Sequence, residues 1–453
     1  MKAGGFDAVV GNPPYVRQET LGQEFKEYVG ARYETFSGTA DLYVYFIEKS
    51  HSLLRPGGYF GMICSNKFMR ANYGQNLRQY LATQTSLRRI VDFGELPVFQ
   101  NAATFPAIVL TENKKTKKQR FSYAPVKRLD FLSLEDEARK AGMELDDRSL
   151  SGSNWTLARG EEVAIIEKMK AVGTPLGEYV ENKIFYGIKT GLNKAFVIDK
   201  ETRARLIKED AKSKELIKPF AVGDDVRKYR IDFRERYLIL VPKGQTNMNK
   251  KGDAWGWFKK TFPAVADHLL PFKEAAQKRD DQGDYWWELR ACDYYKEFER
   301  PKIIYPDIAK ESRMTFDSGG LYLGNTAYFI PSDDLYLLGL INSKLIFAYF
   351  KRTAAVLGDA DKGGRLRWFR QDVIQLPIRR IDFADRRDKA RHGRVVELAG
   401  RMLDLNGKLA SARTAHDKTV LQRQIAATDG EIDRLVYELY GLTAEEIAIV
   451  EGN

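Results

Sequence analysis

Cysteine and histidine are scarce in this chain of 453 residues, which holds two Cys and four His. Two thiols, Cys64 and Cys292, exclude a disulfide framework and any cysteine-rich zinc site. His51, His268, His392 and His416 are far apart and show no metal-ligand spacing, so no metal site is expected. Long apolar runs are also missing. The longest, Leu335–Phe350, is interrupted by Asn342, Ser343 and Lys344 and is too short and polar to span a bilayer. Residues 1–11 read as a strand rather than a secretion signal, and the expected compartment is the cytoplasm. Acidic residues are outnumbered, 62 Asp+Glu against 73 Lys+Arg, a formal +11 that favours a polyanionic partner.

What is present is a core and many aromatic rings. Hydrophobic residues make up 43% of the chain, which excludes disorder as the dominant state. Aromatics make up 12%, with 25 Phe and 23 Tyr, a supply suited to stacking on planar ligands. At roughly 150 residues per domain the length implies two to three domains.

Strand and helix patterns alternate at the start, as in an α/β sheet. Phe6–Gly11 reads as a short buried strand. Helical spacing runs over Thr39–Leu54 and is stopped by Pro56-Gly57-Gly58. Strands are predicted over Tyr59–Cys64, Leu87–Phe93 and Ala107–Thr111, with a helix over 74–84. Lys114–Lys118 is expected as a charged hairpin tip or loop, residues 130–150 show weak periodicity, and a helix follows over 160–171. From about 175 to 380 the chain is rich in Tyr, Trp, Lys and Arg, with short strands such as Tyr237–Val241 and Lys302–Tyr305. The tail repeats apolar residues every three or four positions, first at Val395, Leu398, Met402, Leu405 and Leu409, then at Leu421, Ile425, Ile432, Leu435, Val436 and Leu439. Two helices joined near 411–417, packing as a hairpin, are the expected outcome.

The residues that point to chemistry are Asn12-Pro13-Pro14-Tyr15, directly after the first strand. Two prolines cannot continue a central strand, so the chain must turn out of the sheet. The carboxyl ends of strands are where open α/β sheets hold ligands. The prolines fix the backbone and present the Asn12 side chain and a proline carbonyl at one point. Two converging acceptors suit an exocyclic amine with two hydrogens. Tyr15 can lay its ring against a planar base.

At these residues the sequence resembles the adenine-N6 methyltransferases of DNA, specifically the TaqI-like enzymes and the larger fused restriction–modification enzymes. Phe6–Tyr15 looks like that family's motif with its strand. Ala40-Asp41-Leu42-Tyr43-Val44-Tyr45-Phe46, then Leu53–Gly58, look like the next motif and helix end. Phe93-Gly94-Glu95, Val98-Phe99 and Ala103-Thr104 look like the second wall of the base pocket. Tyr186–Phe196 resembles the opening of the target recognition domain, Leu340–Lys344 and Gln375–Ile378 resemble later landmarks in it, and Ile432–Leu442 resembles the C-terminal helix of the fused enzymes.

The resemblance implies an α/β fold: a partial Rossmann-like class I methyltransferase sheet starting at the Asn-Pro-Pro-Tyr strand, a mixed α/β target recognition domain, and a C-terminal helical hairpin. The expected domains are 1–150, 151–380 and 381–453. It also implies that adenine is flipped out of double-stranded DNA, that Asn12 and the Pro13 carbonyl accept the amine hydrogens, with Pro14 fixing the turn, and that S-adenosylmethionine donates the methyl group. Tyr15 and Phe99 would line the base pocket. Phe46 and Asn12 would meet the cofactor, although a core role for Phe46 fits the sequence equally well. Lys189, Thr190, Asn193, Lys194, Arg365, Arg367 and Arg370 are the expected DNA-binding residues.

The chain departs from the family in one respect. The glycine-rich cofactor loop lies upstream of this motif in such enzymes, but only five residues precede Phe6, and nothing downstream reads as a strand, glycine loop and helix. The cofactor site is therefore expected to be incomplete, and the chain to be the C-terminal portion of a larger enzyme or half of a split one, with an N-terminal half and a nuclease domain as partners. The first three strands of the sheet should be missing, leaving apolar surface and an unpaired edge. Glu24-Phe25-Lys26 has the spacing of a metal nuclease but lacks a supporting strand pattern. The alternatives are a non-catalytic DNA-binding specificity subunit needing a catalytic partner, and methylation of RNA or of protein glutamine.

Between 351 and 380 stand eight basic residues (Lys351, Arg352, Lys362, Arg365, Arg367, Arg370, Arg379 and Arg380) against Asp359, Asp361 and Asp372, with Trp368 and Phe369 interleaved. This stripe is expected to run along DNA. Each phosphate neutralised lowers log affinity by about 0.9 per unit of log salt. Replacing Arg365 and Arg367 together should reduce that slope by up to about two, on cognate and random duplexes alike, in a salt titration of duplex binding.

Overall fold

The computed structural model of the chain describes residues 4–94, 96–99, 105–116, 120–146, 150, 155, 157, 160–249, 252–354, 356–357 and 365–452. The chain divides into two compact units, one of residues 1–168 with 349–366 and 443–453, the other of residues 169–348 with 367–442. This partition runs across the expected boundaries at 150 and 380.

The first unit is built on strands β1 (Phe6–Gly11), β2 (Leu54–Ser65), β3 (Ser86–Asp92), β4 (Pro106–Glu112), β5 (Arg120–Pro125) and β6 (Met143–Asp146). They form one sheet in the order β1-β2-β4-β3-β5-β6. β1 runs parallel to β2, with Gly11 opposite Met62, and β3 runs parallel to β5. β4 is antiparallel to both its neighbours, and β6 is antiparallel to β5. The carboxyl ends of β1, β2 and β3 therefore lie along one margin of the sheet. Helices α1 (Gln23–Gly30) and α2 (Tyr43–Leu53) fall between β1 and β2, and α3 (Gln75–Gln84) between β2 and β3. The core gathers Val44 and Ile47 of α2, Phe60 and Cys64 of β2, Leu77 and Leu81 of α3, Ile90 of β3 and Val109 of β4.

Several expectations are corrected here. β1 is not buried. Among the described residues it pairs on one side only, and Phe6 is 51% and Val10 82% exposed. The open edge and apolar surface expected of this strand are present. Pro56-Gly57-Gly58 does not separate a helix from a strand. It lies inside β2 as an irregularity opposite Phe6 and Ala8, with Gly57 at φ 76° and Gly58 at a point where a β-carbon would run into the Phe6 carbonyl. The weakly periodic stretch 130–150 holds helix α4 (Leu134–Ala141), capped by Ser133, followed by β6. Its short, charged segments carry little apolar period, and pairing with β5 decides them. β4 and β5 are separated by β3, so the charged segment from Lys114 is a loop and not a hairpin tip; Lys117 and Lys118 lie outside the described residues. Helix α5 (Gly160–Val172) forms where expected.

The second unit holds two small four-stranded sheets. One orders Tyr322–Leu323, Ile217–Ala221, Arg236–Ile239 and Val197–Ile198; the other orders Thr315–Asp317, Lys302–Pro306, Ala327–Ile330 and Phe185–Tyr186. The two tail helices span Arg386–Ser411 and Ala415–Leu439. Val395, Leu398, Met402, Leu405, Ile432, Leu435, Val436 and Leu439 are buried, whereas Leu409, Leu421 and Ile425 near the turn are half-buried. No described helix is long and apolar enough to cross a membrane.

The sequence landmarks of this unit are joints. The Asn342 carboxamide accepts from the Met314 amide at 3.0 Å and donates to the Met314 carbonyl at 2.9 Å. The Lys344 amide donates to Asp433 Oδ1 at 2.8 Å. The Tyr440 hydroxyl accepts from the Arg379 amide at 3.1 Å and donates to the Pro377 carbonyl. Asp433 is 2% exposed, and burial pushes its carboxyl up to about 6. An unfolded Asp titrates near ~3.9, so the folded state binds this proton more tightly and gains stability as pH falls through 6. Asp433→Asn keeps an oxygen for the Lys344 amide. It should stabilise the protein by about 1–3 kcal/mol at pH 8, by about half as much at pH 5 and by almost nothing below about pH 3, read as melting temperatures of variant and wild type.

Candidate active site

Gly11 is the last residue of β1 to pair with β2, and the backbone leaves the sheet at Asn12. Neither Pro13 nor Pro14 has an N–H to extend the ladder. The departing segment is then held by hydrogen bonds of its own. The Val16 amide donates to the Pro14 carbonyl at 3.0 Å, and the Leu42 amide donates to the Val16 carbonyl at 3.1 Å. The Gln18 amide donates to Asp41 Oδ1 at 3.1 Å. Burial raises the Asp41 carboxyl above its usual range, against the lowering by that amide. Asp41 therefore ties the turn to the entrance of α2. Pro13 is buried, while Asn12 and Pro14 are exposed, and no described residue holds the Asn12 carboxamide.

Tyr15 is half-buried. Its ring meets the Phe99 ring edge-on, with centroids 5.7 Å apart and planes at 61°. The structure thus brings together the two aromatic residues expected to line one pocket, although 84 positions of sequence separate them. Glu95, Ala103 and Thr104 of the same motif lie outside the described residues. The Tyr15 hydroxyl is buried with no hydrogen-bond partner among the described residues. Burial and the neighbouring Cys64 push it up to about 12, and burial pushes the Cys64 thiol up to about 12 as well. Both stay protonated near neutral pH, so neither is a thiolate or phenolate nucleophile.

On α2, Tyr45 faces inward, with its hydroxyl on the Ser37 carbonyl and its ring edge-on to Phe25 and Tyr33. Phe46 faces outward at 41% exposure, so it is not the core phenylalanine that the sequence also allowed. Asn66 and Asp92, at the ends of β2 and β3, were not singled out from the sequence. They are hydrogen-bonded at 2.8 Å beside the root of the Phe99 segment. No periodicity or motif marks them, because only the pairing of β2 and β3 with opposite sides of β4 aligns them. The Glu24 and Lys26 pair sits on α1, where the Lys26 ammonium donates to Gln18 Oε1. Among the described residues no three His, Cys, Asp or Glu side chains gather into a metal-holding group.

The expected DNA-binding residues of the second unit divide. Asn193 and Lys194 are exposed on a short helix, Asn193–Phe196. Lys189 is exposed and pairs with Asp281 at 2.9 Å, which Arg290 also meets at 3.3 Å. Thr190 is buried. Its hydroxyl donates to Asn193 Oδ1 at 2.6 Å and accepts from the Leu192 amide at 3.2 Å. Its carbonyl accepts from the Arg279 guanidinium, which stacks over Phe196. Thr190 shapes this loop from within, and Gly191, at φ 67°, completes the turn. In the basic stripe, Arg367 stacks 5.1 Å from the Phe369 ring centre and exposed Arg370 reaches the Asn182 carbonyl. Arg379 pairs with Asp388, and Arg352 with Glu162. Trp368 is a buried core residue, not an interleaved surface ring. Residues 358–364 and the side chain of Arg365 lie outside what is described.

An orphaned buried hydroxyl costs stability, and removing it restores some. Tyr15→Phe should leave the melting temperature unchanged or raise it, by up to about 1–3 kcal/mol in stability. Tyr15→Ala should lower it by removing the ring from Phe99. Thermal denaturation of the two variants distinguishes these outcomes.

Comparison with known proteins finds two family models. Residues 1–99 match the Eco57I restriction-modification methylase, and residues 218–378 match the TaqI-like C-terminal specificity domain. The chain is 27% identical over 468 residues to the type II methyltransferase M.PaeR7I of Pseudomonas aeruginosa, covering 99% of this chain and 73% of that protein. It is 24% identical over 473 residues to the type II restriction enzyme and methyltransferase RM.Eco57I of Escherichia coli, covering 96% of this chain and 46% of that protein. Among solved structures, the type IIL restriction-modification enzyme MmeI in complex with DNA shares the fold, with a TM-score of 0.64 at 12% identity over 98% of this chain and 56% of that chain. The chain thus spans between about half and three quarters of the length of these proteins.

Proposed function

We propose that this chain, which belongs to the TaqI-like restriction–modification methyltransferases, carries the target-base half of an active site that methylates the N6 amine of adenine within a specific DNA sequence. The observation that carries the reading is the turn at Asn12. An exposed carboxamide stands at the carboxyl end of β1, next to a buried proline and an aromatic pair, Tyr15 and Phe99.

A base in a duplex is stacked and its amine is out of reach, so the target is flipped out at the cost of a few kcal/mol. The aromatic rings offset that cost, at about 1–3 kcal/mol per stacked base. Asn12 Oδ1 and the Pro13 carbonyl accept the two amine hydrogens. These bonds draw the nitrogen lone pair out of the ring and aim it. With Tyr15 and Cys64 both protonated, hydrogen bonding activates the amine without prior proton abstraction, and the proton that the methylated amine then sheds would pass to water. The methyl donor is S-adenosylmethionine, which supplies an electrophilic sulfonium methyl. Outward-facing Phe46 and exposed Asn12 fit one end of it, Phe46 as an apolar wall for its adenine ring. The remainder of the cofactor site is proposed to come from protein outside this chain, as is any nuclease.

The second unit is proposed as the reader of the duplex, using Lys189, Asn193, Lys194, Arg367 and Arg370; Arg365, which the partition assigns to the first unit, is proposed as a further phosphate contact. Thr190 acts indirectly, by holding the loop that presents Asn193. The fold shared with an enzyme solved in complex with DNA supports this assignment.

The test is Asn12→Ala in the intact enzyme. Methyl transfer to DNA from tritiated S-adenosylmethionine should fall by about 100-fold or more, the scale on which single transition-state hydrogen bonds act. Duplex affinity, set by phosphate contacts elsewhere, should stay within about threefold. Near-normal turnover would remove Asn12 from the reaction.

A further inference from the structure

We propose that Asp92 is a positioning residue for base capture: it clamps both roots of the segment that carries Phe99 and so holds that ring against Tyr15. The functional half of this inference rests on the methyl-transfer reading above.

Asp92 is the last residue of β3, and its carboxylate takes three hydrogen bonds from three different places. Oδ1 accepts from the Asn66 carboxamide at 2.8 Å and from the Gly94 amide at 3.0 Å. Oδ2 accepts from the Tyr123 hydroxyl at 3.0 Å. Tyr123 is a buried residue of β5, so this third bond anchors the carboxylate to the sheet. All three donors are neutral, and among the described residues no cation forms an ion pair with Asp92. The carboxylate therefore orients its neighbours without being neutralised, in the stronger, charge-assisted class of hydrogen bond.

The bonds converge on the two ends of one loop. At the near end, Gly94 takes the left-handed conformation, at φ 55°, with its amide on Asp92. Successive turns follow, with the Leu96 amide on the Phe93 carbonyl and the Val98 amide on the Leu96 carbonyl. These lead directly to Phe99. At the far end, the Asn66 amide donates to the Phe105 carbonyl at 2.7 Å, and the Lys67 ammonium lies over the Phe105 ring. Asn66 thus grips the far root through its backbone and Asp92 through its side chain. A change at Asp92 releases both roots together.

Precision at these roots matters because Phe99 meets Tyr15 through a single edge-on contact, with centroids 5.7 Å apart and planes at 61°. A shift of the roots changes that distance and angle first, and with them the wall that the methyl-transfer reading gives to the flipped base.

Two measurements on the full chain test the clamp. With 4-fluorophenylalanine at position 99, the fluorine resonance should move in Tyr15→Leu, which establishes that it senses the contact. Asp92→Ala should move it toward the value of the free amino acid. Asp92→Asn should keep it near wild type, because its side-chain oxygen still accepts from Gly94. Asn66→Ala, which unties the far root from Asp92 but leaves Gly94 held, should move it less, and gives a readout in the same direction if Asp92→Ala does not fold. In the methylating enzyme, Asp92→Ala should lower kcat about 10- to 100-fold, with KM for plasmid DNA within about threefold and most activity restored by Asp92→Asn. A resonance unmoved in both Asp92→Ala and Asn66→Ala overturns the clamp. A resonance that moves while kcat stays at wild type overturns the role in base capture. If no form transfers methyl groups yet the resonance behaves as expected, the clamp stands and the methyl-transfer reading falls.

Discussion

The arrangement of the site depends on two missing hydrogen-bond donors. Pro13 and Pro14 have no N–H, so the ladder between β1 and β2 ends at Gly11 opposite Met62. Continuation of the strand would tie the Asn12 backbone into the ladder with β2. Termination leaves its carboxamide exposed at the carboxyl margin, with the following backbone pinned by Val16, Leu42 and Asp41. The rest of the first unit then supplies walls. β2 and β3 run in the same direction as β1, so their last residues meet at that margin, and the antiparallel β4 returns there with Phe105 and Pro106.

The chemistry of this margin is set by burial more than by charge. Tyr15 and Cys64 are held protonated, and the acid at the end of β3 is surrounded by neutral donors. While protonated, neither Tyr15 nor Cys64 can abstract a proton, and the Asp92 carboxylate is already engaged by three donors. The margin is suited to holding a planar, uncharged ring and its amine. In the second unit, exposed Lys189 and Lys194 flank the Thr190–Asn193 turn, and Lys189 is paired with Asp281.

In the second unit, residues that look like recognition landmarks in sequence serve as structure. Asn342 satisfies both backbone groups of Met314, Lys344 caps onto Asp433, and Tyr440 bridges Pro377 and Arg379. A buried polar group is costly unless fully bonded. Each such joint therefore restricts both partners in composition. Thr190 follows the same logic: it was expected at the DNA and is found inside its own loop, held by Arg279. A polar residue in a motif is ambiguous between ligand contact and loop architecture until its burial is known.

The sequence by itself determined the alternation of strands and helices before residue 112, the tail helices, and the exit of the chain at Asn12, because these rest on local period and on the backbone chemistry of proline. It also paired Tyr15 with Phe99, through resemblance rather than through any rule of spacing. Only the tertiary structure decided that β1 is an exposed edge strand, that Pro56-Gly57-Gly58 lies within β2, that Phe46 faces outward and Trp368 inward, and that Asp92 and Asn66 meet. The reason is common to all of these. Local hydrogen bonding and side-chain period act over a few residues, whereas exposure and convergence depend on which strands become neighbours, and that pairing joins residues such as Asn66 and Asp92 that carry no shared mark in the sequence.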